Sequence, residues 1–167
     1  MKKDNRGISL VEMIIVIAIL AVVSGGVAIG IGSALSKPAE ECASKITDSL
    51  KNARITTMGK KTVELELYSA TDGIYLKETR SETGGTPTVK TIKIGQKGVT
   101  VTYRLTGEAD YTSLGGVGSP LKLSFSRATG GFNQVVAGKY CEYIKITKGN
   151  REHTLQLHSL TGKVEVK

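Results

Sequence analysis

The stretch from Met13 to Val23 is wholly apolar, and nothing comparable follows it in the chain. It sits inside a longer apolar run, Ile8 to Leu35, of 28 residues. As a helix that run extends about 42 Å at 1.5 Å per residue, enough to cross a bilayer core of roughly 30 Å. One carboxylate, Glu12, interrupts it. At the centre of a bilayer that charge would cost on the order of 2.5–3.5 kcal/mol on insertion scales, so it calls for an interfacial position or a partner. The run is preceded by MKKDNRG. A basic start before an apolar segment is the general pattern of an export signal. Here, however, the charged part ends in Gly7 directly before the run, and no A-x-A-like site closely follows it.

Leader, glycine, carboxylate and apolar run together carry a resemblance. KDNRG followed by ISLVEMIIVIAIL resembles the N-terminal signal of type IV prepilins and pseudopilins, over about the first thirty residues. The resemblance implies cleavage between Gly7 and Ile8 by a prepilin peptidase and N-methylation of Ile8. It also implies an assembly salt bridge from Glu12 to the N-terminal amine of a neighbouring subunit. An amine at Ile8 and a carboxylate at Glu12 are four residues apart, on one side of a helix, and their attraction grows in a low dielectric. Ile8 departs from the Phe or Met that the family usually places first. The implied partners are the peptidase, other pilin or pseudopilin subunits, a membrane assembly platform and membrane lipid. The implied location is the cytoplasmic membrane with an exported C-terminal head, and then an extracytoplasmic filament.

After the run, Pro38 marks either a kink or the first turn of a second helix. Ala39, Cys42, Ala43, Ile46, Leu50, Ala53 and Thr57 recur at steps of three and four, which is the apolar stripe of an amphipathic helix. Gly59 suits its end. Beyond it, Val63, Leu65 and Leu67 alternate with polar residues, as in a half-buried strand. Further strands are expected over 74–79, 89–94, 99–105, 121–125, 140–148, 151–160 and 163–167, separated by Gly-containing turns, with 107–120 as a loop. The fold class is α+β: a long N-terminal helix, half membrane-spanning and half amphipathic, with an antiparallel sheet packed on it. The expected divisions are a leader at 1–7, a transmembrane and assembly helix at 8–35, an amphipathic helix at 36–60 and a β head at 61–167. The run from Ile144 to Val166 resembles the terminal hairpins of H-type minor pseudopilins, which points to a minor subunit.

The formal net charge is +8, of which the residues Lys2, Lys3, Asp4 and Arg6 contribute +2. The excess is scattered, and suits a solvated basic surface or contact with polyanions. Lys145, Lys148 and Arg151 could group at one hairpin as a DNA contact, although no aromatic residue interleaves with them there. Cys42 and Cys141 are the only cysteines. They form one disulfide in an exported domain or remain two thiols, since Cys141 has the strand parity opposite to Ile144 and Ile146. His153 and His158 differ by five positions and face opposite ways in an unbroken strand, so no metal pair is expected. No catalytic or nucleotide-binding motif is present, so no enzyme activity and no cofactor are expected. The leading function is a structural subunit of a type IV pilus, type II secretion or competence-type filament. The alternatives are a DNA- or surface-binding module at a pilus tip and an uncleaved single-pass membrane anchor.

Overall fold

The computed structural model describes residues 10–59, 61–82 and 84–167, those at 22–36 by backbone alone. Gly7 and Ile8, with the rest of the expected leader, lie outside the described residues. The chain divides between Leu35 and Ser36 into two compact units. One helix, α1 (Leu10–Met58), contributes to both, and Pro38 stands inside it. No separate helix begins at that proline.

In the first unit, every residue from Leu10 to Ala21 is exposed. Its large apolar side chains are between 50% and 75% accessible, from Val16 to Leu10. A helix that is apolar on every face has no preferred side to bury against a single sheet.

The second unit is α+β. Its helical part buries Ala39, Cys42, Ala43, Ile46, Leu50, Ala53 and Thr57, while Lys37, Glu41, Lys45 and Asp48 face solvent. Among the described residues nine strands follow: β1 (Thr62–Ala70), β2 (Gly73–Ser81), β3 (Thr88–Gln96), β4 (Thr100–Leu105), β5 (Thr112–Ser113), β6 (Leu121–Ser124), β7 (Cys141–Lys148), β8 (Arg151–Leu157) and β9 (Val164–Val166). They form two antiparallel sheets instead of the single one expected. The first has the order β3-β2-β1-β6 and the second β5-β4-β7-β8-β9. The chain leaves the first sheet through the turn closed by Val99 N–H to the Gln96 carbonyl at 3.1 Å. It returns once, when β6 pairs with β1 in the register Leu65–Leu123. Alternation along a strand selects its buried face but names no partner, which is why the division into two sheets is invisible in the pattern.

Both sheets and the helical stripe contribute to one buried apolar cluster, including Leu65, Leu76, Ile94, Val101, Ile144, Ile146 and Leu155. Close approach between helix and first sheet depends on Gly95. A Cβ there would stand 3.1 Å from Ile74 and 3.2 Å from Cys42 Sγ. Phe125 and Phe132 extend the core, with ring centres 4.5 Å apart.

Two local expectations are corrected. The segment 107–120 is not wholly loop, because β5 pairs with β4 through Thr112 and Tyr103. Cys141 joins the core despite its parity. The β4–β7 register slips between Arg104 and Leu105, which face Tyr143 and Cys141 respectively. The extra residue, Glu142, bulges the strand and returns Cys141 to the inner face, where it is 1% exposed.

Candidate functional site: the apolar helix segment and the head surface

In α1 the carboxylate of Glu12 lies in the first turn. An acid there is favoured by the partial positive charge of a helix N-terminus. Its neighbours in sequence, Leu10, Val11, Met13, Ile14, Ile15, Val16 and Ile17, are all exposed and apolar. An exposed, continuous apolar surface of this kind is characteristic of a lipid or protein contact. Leu10 to Ala21 rises about 18 Å at 1.5 Å per residue, short of a bilayer core of roughly 30 Å. Among the described residues no helix is long and apolar enough to cross a membrane. The expected span at 8–35 depends also on residues beyond those whose side chains are described.

Residues 2–34 match the model of the prokaryotic N-terminal methylation motif. That motif is the type IV pilin and pseudopilin signature, and the chain carries it over this segment. No curated protein and no solved structure shows significant similarity to the chain.

On the head, the two cysteines are free thiols and both are buried. The structure does not join them in the disulfide that the sequence leaves open. Cys42 faces Gly95 on the first sheet, whereas Cys141 lies in the second and donates to the Tyr143 carbonyl at 3.7 Å. Burial pushes each thiol up to about 12, so neither is a ready nucleophile near neutral pH.

Of the three basic residues expected to group at the β7–β8 hairpin, the ladder sets Lys148 opposite Arg151 and Lys145 three residues back along β7. Lys148 donates to the Lys97 carbonyl at 2.6 Å, and Arg151 is exposed and paired with it in register across the hairpin. Lys145 points from the outer face of the second sheet, bound to Glu152 at 2.9 Å. The Glu152 hydrogen bond holds its ammonium pKa above the ordinary lysine value. What the sequence missed is that this outer face carries aromatics. Arg104 lies 5.4 Å from the Tyr111 ring centre and 4.6 Å from that of Tyr143. Lys145 stands 4.7 Å from Tyr111, and Lys167 5.7 Å from Tyr143. Glu142 adds a 3.5 Å contact to Arg104. These residues come from four separate stretches of chain, and the adjacency of β5, β4 and β7, which brings Arg104 to both Tyr111 and Tyr143, is not visible in the residue pattern.

The histidines stay apart in role. His153 faces Ile146 across the β7–β8 ladder, and His158 stands 3.4 Å from Glu165. Among the described residues no group of three or more His, Cys, Asp or Glu is arranged to hold a metal.

Proposed function

We propose that the chain is a structural subunit of a pilus- or pseudopilus-type filament, cut by a prepilin peptidase between Gly7 and Ile8 and methylated at the new terminus. The observation that carries the reading is an apolar helical segment with one acid, Glu12, exposed on every face within a matched methylation motif. Such a segment is satisfied by lipid before assembly and by like helices after it. The head remains outside the membrane, and an assembly platform moves the subunit from bilayer to filament. Glu12 then neutralises the amine of a neighbouring Ile8. Pilus, type II secretion and competence filaments all use a subunit of this design, as major or minor component. The test is Glu12→Ala in a host with an active prepilin peptidase. Processing stays intact and recovery in the sheared filament fraction falls. Normal incorporation of the variant would remove the pairing.

A second reading, a polyanion-binding module, is favoured by the interleaved Arg104, Tyr111, Tyr143, Lys145 and Lys167 on the second sheet. Cations beside aromatic rings are the ingredients of non-specific single-strand binding. The bonds to Glu142 and Glu152 weigh against it, because a polyanion must displace them. Retention of the protein on single-stranded DNA at moderate salt, lost in Lys145→Glu, would favour this reading.

A further inference from the structure

The head uses its charges differently on the strands and on α1. Among the described residues, every ion pair of the head joins side chains from Lys61 onward. On the helical part, Lys37, Glu40, Glu41 and Lys45 are exposed and belong to none of those pairs. Lys37 and Glu41 are four apart, as are Glu41 and Lys45, a spacing at which side chains can meet along one helix. Neither pair closes in the structure.

The sign of the charge reverses with each turn. Lys37 is followed by Glu40 and Glu41, then Lys45, then Asp48. A parallel copy set level with the first brings acids against acids at 40 and 41. A copy displaced by two turns brings Lys45 against Lys37 and Asp48 against Glu40. A copy displaced by one turn, four or five positions or about 6–7 Å, meets opposite charge: Glu41 faces Lys37, and Lys45 faces Glu40. The four residues also lie on two faces. At about 100° per residue, Lys37 and Glu40 are centred roughly 90° round the axis from Glu41 and Lys45. Both faces lie clear of the buried stripe of Ala39, Cys42, Ala43 and Ile46.

We propose that α1 over 37–45 is a contact between parallel copies of this chain staggered by one helical turn, Glu41 and Lys45 of one copy meeting Lys37 and Glu40 of the next. The two halves of the contact are different residues on different faces, so it is head-to-tail. Its axial displacement keeps it from closing into a ring. A second copy is the occupant because the order acid then base on one face is complementary to the order base then acid on the other. The pairing of Glu12 with a neighbour's Ile8 amine spans four positions as well, so the two segments separately call for one stagger. The inference rests on the filament reading and adds its register. Exposed pairs are weak singly and are screened by salt. Between helices already held side by side, these charges reject the staggers in which like signs face each other.

The test uses the full chain in cells that process and assemble it, with yield in the sheared filament fraction as the readout. Lys45→Glu should lower that yield about fivefold and leave the melting temperature of the purified protein unchanged. Adding Glu40→Lys to the same chain should restore the yield. Positions 40 and 45 are five apart and about 140° round one helix, so they do not pair within a chain, and the rescue must come from a neighbour. Lys45→Glu with Glu41→Lys should stay low, because the new lysine faces Lys37 of the next copy. Normal yield from Lys45→Glu, a loss matched by a lowered melting temperature, no rescue by Glu40→Lys, or rescue by Glu41→Lys overturns the contact and leaves the filament reading intact. If the unsubstituted chain forms no filament in such cells, the filament reading fails and the contact fails with it.

Discussion

Two stretches of α1 carry apolar residues and do opposite things with them. Between Ala39 and Thr57 the apolar residues lie on one stripe, and the chain's own sheets cover them. Between Leu10 and Ala21 they lie on every face and are exposed throughout. A stripe can be satisfied by one neighbour, so the partner can belong to the same chain. An all-round apolar surface needs several neighbours at once, which a 167-residue chain with one modest head does not supply. Angular distribution of apolar residues thus separates the stretch that the chain covers itself from the stretch that it leaves exposed.

Substitutions can break that comparison. Leu50 is wholly buried on the stripe, and Leu50→Ala should cost the head about 2–5 kcal/mol in chemical denaturation. Ile17→Ala, in the exposed stretch, should leave the same denaturation curve unmoved. Equal losses from the two would show that both stretches belong to one core. Ile17→Lys is next in size. An added charge within the apolar segment should cost about 2.5–3.5 kcal/mol on insertion and reduce membrane retention, again with no change in head stability. Retention equal to that of the unsubstituted chain would contradict a lipid-facing role.

Smaller effects sharpen the description of the stripe. Gly95→Ala places a methyl group 3.1 Å from Ile74 and 3.2 Å from Cys42 Sγ, and should cost about 1–3 kcal/mol by overpacking. Adding Cys42→Ala should recover part of that loss, read as a coupling in a double-mutant cycle. Additive losses would mean that helix and sheet do not meet there.

The smallest effect is electrostatic. Glu66 accepts from Lys77 at 2.8 Å and contacts Lys122 at 2.9 Å. Those lysines, Lys77 foremost, hold its carboxyl below the ordinary carboxylate value. A folded-state pKa below the unfolded value, about 4.3 for glutamate, stabilises the fold fully above that value. The contribution is lost as pH falls through the depressed folded pKa. The urea midpoint should therefore decline below about pH 4.3, and Glu66→Gln should flatten that part of the profile. An unchanged acid limb in the variant would assign the decline to other carboxylates.

Much of this arrangement was legible in the residues. Steps of three and four from Ala39 to Thr57 predict the buried stripe, and alternation at Val63, Leu65 and Leu67 predicts the inner face of β1. Local periodicity reports local geometry, and there it succeeds. It fails where the outcome depends on pairing. The separation into two sheets rests on β6 returning to β1 across more than fifty residues. The placement of Cys141 rests on a bulge at Glu142, set by the register with β4. Arg104, Tyr111 and Tyr143 meet only once β4, β5 and β7 are adjacent. At the N-terminus the position is reversed. Gly7, Ile8 and Glu12 stand within a matched motif that is defined by short-range spacing and needs no tertiary fold to be legible.

The central claim is that the apolar segment is a processed assembly helix. Intact-mass and N-terminal analysis of the protein recovered from membranes of a host with its own prepilin peptidase tests it most directly. The account predicts a chain beginning at Ile8 and carrying one added methyl group. A chain still beginning at Met1 in the presence of an active peptidase would contradict it. It would leave Glu12 without the amine on which the assembly mechanism depends, and favour an uncleaved anchor.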